Sequence, residues 1–313
     1  MNKSITVLIP VLNAMPYLPE MLASLEAQTF KDFTVLLWDN GSTDRTVEEA
    51  RKWIPARLPG RVVDGEPLPL QQCLARMVEI SETEFCARMD GDDLALPERF
   101  RLQIEFLSNH PEVALVGAQF ECIDPNGVVL PKEDWTRCPV EHDDIVSRLM
   151  YNCPFNHPSI VFRREDVLIS GNYSVPAPVE DYNLYLKLLT RFRGANLPQL
   201  LTRYRIHPSS ICAGAKRGNR LADLVADSLS RESQQIFRIP PSVFRLLHAK
   251  EYPVSAWPLF YGAWQRSSHN PNRFWHIIIS PWFINSARCM TSRRDLISKS
   301  IFRILDWLSK DYL

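Results

Sequence analysis

The sequence predicts an α/β fold, a mostly parallel, Rossmann-like sheet flanked by helices, followed by a helical C-terminal extension. Three observations predict it. Apolar strand runs alternate with helically spaced segments through the first third of the chain. Acidic motifs fall where two of those strands end. Past about Ala213 the texture changes, and five of the eight tryptophans lie at or after Trp257.

Ile5 to Leu12 reads as a buried strand, and Pro16 to Gln28 carries apolar residues at helical spacing (Tyr17, Met21, Leu22, Leu25). Phe33 to Trp38 and Arg61 to Val63 are the next strands, with a helix over Thr43 to Trp53 between them. Leu70 to Ile80 is a third helix, and Glu84 to Met89 a fourth strand. Single helices between strands argue for a parallel sheet covered on both faces. Ligands of such sheets sit at the carboxyl ends of the strands. Beyond Pro97 the pattern gives a helix to about Asn109, a strand from Val113 to Cys122 and a turn at Asp124–Gly127. Pro158 to Arg163 reads as a strand, Asp181 to Phe192 as a helix and Leu200 to Ile206 as a strand. The expected division is an α/β domain over 1–212, with halves of about 1–95 and 96–212, and a basic, aromatic-rich helical region over 213–313.

Composition narrows the class. The chain has 313 residues, 45% apolar and 23% charged, as in ordinary globular proteins. Lys+Arg and Asp+Glu both number 36. A zero balance is not the basic signature of a protein that binds bulk nucleic acid, so no nucleic-acid partner is expected. The zero hides a division. Residues 1–215 hold 21 basic and 29 acidic side chains, and residues 216–313 hold 15 and 7. Seven scattered cysteines without a CxxC pair suggest reduced thiols rather than a disulfide framework or a zinc site. The opening strand run is too short, and too soon broken by prolines, for a signal peptide. No apolar run reaches the length of about 18–20 that spans a bilayer. The longest candidate, Phe274 to Ile284, contains His276 and Pro281.

The sharpest chemical feature is Met89-Asp90-Gly91-Asp92-Asp93. Three carboxylates in four residues repel one another unless a hard cation or a set of donors neutralises them. Oxygen ligands of this kind suit Mg²⁺ or Mn²⁺, which in turn hold phosphates. The plain alternative is a solvated acidic turn capping the next helix. Asp39-Asn40-Gly41-Ser42-Thr43-Asp44 follows the second strand. Asp44 suits a helix cap, whereas Asp39 sits at the strand end, where its carboxylate can face the crevice. Glu180-Asp181 opens a helix, where the dipole alone favours acids, or one of the pair serves as a general base. His207 ends a strand and is either structural or a further metal or phosphate ligand.

Together these motifs resemble glycosyltransferase family 2, the nucleotide-sugar-dependent enzymes with the GT-A fold. Val7-Leu8-Ile9-Pro10-Val11-Leu12-Asn13 looks like the family's first strand and nucleotide loop, and residues 39–44 like its second nucleotide motif. MDGDD at 89–93, followed by Leu96-Pro97-Glu98-Arg99-Phe100, is similar to its D-x-D metal motif. Residues 156–164, from Asn156 and His157 onward, resemble its acceptor-side strand, and Glu180-Asp181-Tyr182 its acid pair. The match runs from about Ser4 to His207 in order and spacing.

The resemblance implies the following roles. Asp39 holds the base of the donor nucleotide, with Pro10, Val11 and Asn13 nearby. Asp90 and Gly91 lie against the ribose or the metal shell, and Asp92, with His207, binds Mn²⁺ or Mg²⁺. Asp181, beside Glu180, deprotonates the acceptor hydroxyl, and His157 and Tyr182 lie on the acceptor side. On the third helix the family's A-x-N-x-G-like segment is replaced, with Ala75 and Met77 for Asn and Gly. Arg76 or Gln72 is the candidate base contact there. The implied activity is inverting transfer of a hexose from a nucleotide-sugar, UDP most often, to a glycan or undecaprenyl-type lipid-linked acceptor in O-antigen or capsule synthesis. A cytoplasmic site at the inner face of the membrane is expected. Basic and aromatic residues near Ile301, Ile304, Leu305 and Leu308 would meet an anionic lipid surface or pack on the catalytic domain. A non-catalytic nucleotide-sugar-binding module and a sugar-nucleotide pyrophosphorylase are the alternatives. The second expects a Gly-rich basic loop after the first strand, which Pro10 to Ala14 lacks.

Overall fold

A computed structural model describes residues 4–210, except 134, 135, 150–152, 178 and 209, together with Ser228. The chain divides into two compact units, residues 1–146 with 153–221 and residues 147–152 with 222–313. Apart from Ser228, the expectation for 213–313 lies outside the described residues.

The first four strands are β1 (Ile5–Val11), β2 (Phe33–Asp39), β3 (Gly60–Asp64) and β4 (Phe85–Arg88). Between them run α1 (Leu18–Glu26), α2 (Thr46–Trp53) and α3 (Leu70–Glu79). β1 pairs in parallel with both β2 and β4, and β3 adds in parallel outside β2. Every residue of β1 is buried, as expected of a central strand covered on both faces. Leu18, Met21, Leu22 and Leu25 of α1 are fully buried against this sheet, each side chain contributing about 1.5–3 kcal/mol.

The second part of the sheet is mixed. Its elements are β5 (Leu94–Ala95), α4 (Arg99–Asn109), β6 (Val113–Ile123), α5 (His142–Leu149), β7 (Val161–Arg163), α6 (Arg164–Ile169), α7 (Glu180–Leu188) and β8 (Arg193–Arg205). Among the described residues the sheet has eight strands in the order β3-β2-β1-β4-β7-β6-β8-β5. β7 runs antiparallel to β4 and β6, β8 parallel to β6, and β5 antiparallel to β8.

Three elements depart from the sequence expectation. The strand expected from Pro158 begins with a 3₁₀ turn over His157–Ser159, and strand pairing starts only at Val161. The helix expected to reach Phe192 ends at Leu188. β8 starts at Arg193 rather than Leu200, because Pro198 and Gln199 sit in a bulge. The register against β6 jumps from Ala118↔Leu197 to Gln119↔Leu200. A bulge is where a strand tolerates a proline.

The pairing of β6 with β8 depends on close approach at Gly117. A Cβ there would meet Phe155 at 3.0 Å and collide with the Asn196 Oδ1. Asn196 is itself fixed, donating from Nδ2 to the Pro139 and Pro154 carbonyls. Gly117→Ala should therefore cost about 1–3 kcal/mol, as overpacking does. Thermal denaturation should show a melting point several degrees lower. An unchanged melting point would contradict the tight packing.

Candidate active site

The carboxyl ends of β1, β2 and β4 form one wall. Val11 pairs with Asp39, and Pro10 with Trp38, so the loop after β1 and the end of β2 lie side by side. Asn13 takes a left-handed backbone (φ 52°), and its Oδ1 accepts from the Thr43 N–H at 2.8 Å and the Asp44 N–H at 3.3 Å. The Asn13 N–H in turn donates to Ser42 Oγ at 2.8 Å. The two loops are thus stitched together by Asn13. Asp44 Oδ1 accepts from the Thr46 N–H at 2.9 Å, which is the helix-start role its position suggested.

Asp39 is 1% exposed. Its Oδ2 accepts from the N–H groups of Gly41 (3.1 Å) and Ser42 (3.0 Å), a turn that Gly41 allows with φ 91°. Its Oδ1 is buried without a hydrogen-bond partner, and so is Trp38 Nε1. A buried acceptor and a buried donor left unbonded at adjacent residues cost free energy unless something else bonds them. Beside them lies a cleft of about 460 Å³ lined by Trp38, Leu68, Gln72, Ala75, Arg76 and Tyr173. Arg76 reaches this cleft from α3 and pairs with Glu79 at 3.2 Å.

The acidic turn follows β4. Gly91 packs against the loop after β1, where a Cβ would lie 2.9 Å from Val11 Cγ1 and 3.2 Å from Ala14 Cβ. Glycine there lets the turn close on the first strand. Carboxylate oxygens of Asp90, Asp92 and Asp93 come within 4.8 Å of one another. His207, just beyond β8, places Nε2 2.7 Å from Asp92 Oδ2. Asp93 is fully buried. Its Oδ1 accepts the Arg205 N–H at 2.7 Å, and its Oδ2 has no partner. Arg205 is 1% exposed and donates to the Asp92 carbonyl, to the carbonyls of Asp124 and Pro125, and to Glu20 at 2.5 Å. Its guanidinium also lies over the Tyr17 ring, 4.7 Å from the centroid.

Burial, then the charges of its neighbours Asp92 and Asp90, pushes Asp93 well above the usual carboxylate range. Burial and the Asp90 charge also raise Asp92, against the opposing pull of His207. Such a group of oxygen donors, with one unpartnered oxygen, suits a hard divalent cation such as Mn²⁺ or Mg²⁺.

The acid pair opens α7. Glu180 is 6% exposed, and its Oε2 has no hydrogen-bond partner. Burial, then the neighbouring Asp181 charge, lifts Glu180 to about 7. Asp181 is raised by burial; its Oδ1 accepts the Tyr182 N–H at 2.6 Å, and Cys153 Sγ lies 3.8 Å from its Oδ2. His157 and Tyr182 are both in the interior, 9% and 4% exposed. His157 Nε2 bonds the Tyr173 hydroxyl at 2.9 Å, and burial followed by the Arg88 charge holds its pKa well below the ordinary value. It is therefore neutral at pH 7.

Sequence reasoning missed the cations. Arg88 is 4% exposed and ion-paired with Asp90, and Arg99 and Arg205 are more deeply buried still. A signal was present. An arginine within the apolar run Phe85-Cys86-Ala87-Arg88-Met89 is rarely buried unless paired.

Comparison with known proteins agrees with the motif reading. The family model described as Glycosyl transferase family 2 matches residues 6–170. The chain is 37% identical over 191 residues to the amylovoran biosynthesis glycosyltransferase AmsE of Erwinia amylovora, covering 60% of this chain and 70% of that protein. It is 28% identical over 199 residues to the O-antigen biosynthesis glycosyltransferase WbnJ of Escherichia coli, covering 62% and 76%. Among solved structures, S. aureus TarS 1-349 in complex with UDP-GlcNAc superposes with a TM-score of 0.59 at 17% identity, over 98% of this chain and 91% of that one. The mannosyltransferase PcManGT of Pyrobaculum calidifontis, in complex with GDP-Man and Mn²⁺, gives 0.55 at 17% identity, over 100% and 82%. At these identities the structural likeness speaks for the fold.

The raised Glu180 makes a stability prediction. Its folded-state pKa of about 7 lies above the unfolded value near 4.5, so the folded state holds the proton more tightly. Stability therefore falls as pH rises from about 4.5 to 7, by roughly 3 kcal/mol at most. Glu180→Gln should raise the melting temperature at pH 8 and change it little at pH 4.5. An equal effect at both pH values would contradict the buried, strained carboxylate.

Proposed function

Because this chain belongs to glycosyl transferase family 2, we propose that it moves a hexose, with inversion, from a nucleotide-sugar to a hydroxyl of a glycan or undecaprenyl-type lipid-linked acceptor. A UDP-sugar is the first choice of donor, and the product is a surface polysaccharide of the O-antigen or capsule kind. The observation that carries this reading is the acidic turn at the carboxyl end of the sheet. Carboxylate oxygens of Asp90, Asp92 and Asp93 gather within 4.8 Å of one another, and His207, from a distant stretch of sequence, bonds Asp92 at 2.7 Å.

Each proposed role has support in the geometry. The unpartnered Oδ1 of Asp39 suits an N–H of the nucleobase, next to the backbone of Pro10 and Val11. Asn13 shapes that loop, because its side-chain oxygen is already used by Thr43 and Asp44. Arg76 reaches the base from the cleft beside Trp38. Asp92 and His207, with Asp90 and Gly91 beside them, would hold a divalent cation. Bound there, it would offset the negative charge that builds on the leaving diphosphate.

Asp181 takes the proton of the acceptor hydroxyl. The freed oxygen forms a bond to the anomeric carbon while the bond from that carbon to the phosphate oxygen breaks. The nucleoside diphosphate leaves with the electron pair. One base and one displacement give inversion, whereas retention by double displacement would need a second, nucleophilic carboxylate. Burial raises Asp181, which makes it a stronger base than a free carboxylate. His157 and Tyr182 support the acceptor side from the interior rather than by touching sugar.

WbnJ and AmsE support the polysaccharide reading by their names, and the choice of a uridine donor follows from the motif resemblance. Nucleotide-sugars are cytoplasmic metabolites, so the reaction is placed in the cytoplasm, at the inner membrane face for a lipid-linked acceptor. Among the described residues no helix is long and apolar enough to cross a membrane.

Two outcomes are expected. Asp181→Asn should keep nucleotide-sugar binding in calorimetry and lose transfer by at least about a hundredfold, as removal of a general base does. Near-normal turnover would remove Asp181 as the base. Asp92→Ala should weaken Mn²⁺-dependent UDP binding by at least about tenfold, since even outer-shell changes cost about that much. Unchanged binding would remove the cation assignment.

A further inference from the structure

Tyr17 stands at the start of α1, and two side chains from the end of β8 close on its ring. The Arg205 guanidinium lies over it, 4.7 Å from the centroid, and the His207 ring packs against it at 5.0 Å with a tilt of 37°. Both separations fall in the attractive range of cation–π and aromatic contacts. Arg205 and His207 reach the same ring because they are two positions apart in extended chain, where alternate side chains share a face. The Ile206 N–H donates to the Ile123 carbonyl at 2.9 Å, which carries the pairing past the end of β8, and the Ile206 side chain is exposed. Arg205 is fixed independently of the ring, by Glu20, the Asp92 carbonyl and the carbonyls of Asp124 and Pro125. His207 is different. Its Nε2 bonds Asp92 at 2.7 Å, but a bond at one ring nitrogen does not set the plane of an imidazole. The Tyr17 ring packed against it does.

Tyr17 is itself held by the loop after β1. Its N–H donates to the Ala14 carbonyl at 3.0 Å, and the Ala14 N–H donates to Thr46 Oγ1 at 2.8 Å. Ala14 also lies against the acidic turn, since a Cβ at Gly91 would come within 3.2 Å of its own. One loop residue therefore sets the distance between the Tyr17 ring and the turn that carries Asp92. We propose that Tyr17 is a positioning residue for the cation, a flat shelf that fixes the plane of the His207 imidazole so that His207 and the Asp92 carboxylate converge on one ion. This rests on the reading of Asp92 and His207 as cation ligands. An imidazole binds a metal through a lone pair in the plane of its ring, so a tilted ring aims that lone pair away from the ion. Groups outside the ligand set that fix ring orientation therefore govern metal affinity. The Tyr17 hydroxyl takes no part in either ring contact, so the flat ring carries the role.

Mn²⁺ is titrated into the full chain with UDP present, and the free ion is read by electron paramagnetic resonance. Tyr17→Met, which keeps bulk but no flat ring, should weaken Mn²⁺ binding by about tenfold, the lower end of what losing an outer partner costs a metal site. Tyr17→Phe, which keeps the ring, should bind within about twofold of the wild type. In a His207→Ala chain, already weakened, adding Tyr17→Met should cost less than about twofold more, because no imidazole is left to orient. Unchanged binding in Tyr17→Met overturns the proposal, and so does an equal loss in Tyr17→Phe. So does an undiminished loss in the His207→Ala chain, which is what a general packing role would give. Tyr17 is half-buried at a helix start, and Tyr17→Leu carries the same expectation should Tyr17→Met not fold. The two readings fail separately. Full-strength Mn²⁺ binding in both His207→Ala and Asp92→Ala chains removes the cation assignment. Weakened binding there, with Tyr17→Met unmoved, removes only Tyr17.

Discussion

Everything at the carboxyl end of the sheet depends on how buried negative charge is balanced. Asp39, Asp93 and Glu180 are at most 6% exposed, and Asp90, Asp92 and Asp181 are partly buried among them. Burial raises the pKa of Asp93 and of Glu180, and the charges of neighbouring carboxylates raise them further. The protein meets the difficulty with cations supplied from the interior. Arg205 anchors the acidic turn from β8 through the Asp93 carboxylate and the Asp92 carbonyl. Arg88 meets Asp90 from β4. Arg99, fully buried, is lowered to about 9 and so keeps its charge at neutral pH. What stays unbalanced is local, with unpartnered oxygens on Asp39, Asp93 and Glu180. Buried polar atoms without a partner call for an explanation, and in a crevice a bound ligand supplies one.

The topology explains how few residues achieve this. Three parallel strands, β2, β1 and β4, deliver Asp39, Val11 and Arg88 to one edge. Two small backbone devices close the loops between them. Asn13 in the left-handed region ties the β1 loop to the β2 loop, and Gly91 lets the acidic turn lie against Val11. The mixed half of the sheet then returns the chain through β8, so that His207 lands 2.7 Å from Asp92. A residue 115 positions away becomes a neighbour because β8 runs the full length of β6 and ends beside the acidic turn.

Much of this was legible in the sequence, for reasons that differ by element. β1 to β4 and the helices α1 to α4 stand out because each is a continuous apolar run or a helical stripe, and because their ends are marked by Asp, Gly or Pro. The acidic motifs were legible as chemistry, since three acids in four residues have few bland explanations. β5 escaped because two residues carry no period. The first half of β8 escaped because Pro198 in a bulge reads as a loop. α5 and α6 escaped because eight and six residues, with charges at both ends, show little of a helical stripe. His157 is read as acceptor-side from its motif, and the fold buries it there against Tyr173, a burial that nothing local in sequence announces. The buried arginines were hidden for a related reason. Whether an arginine snorkels to solvent or pairs inside is decided by partners far away in sequence, such as Glu20 for Arg205.

A divalent cation and a nucleotide would meet at this set of acids. The most direct measurement is an anomalous-difference map at the manganese edge, from crystals of the full chain grown with MnCl₂ and UDP. The account expects one strong peak beside Asp92 and His207, with the diphosphate against it and the uracil reaching Asp39. A peak elsewhere, or a nucleotide bound with no peak near Asp92, would contradict it.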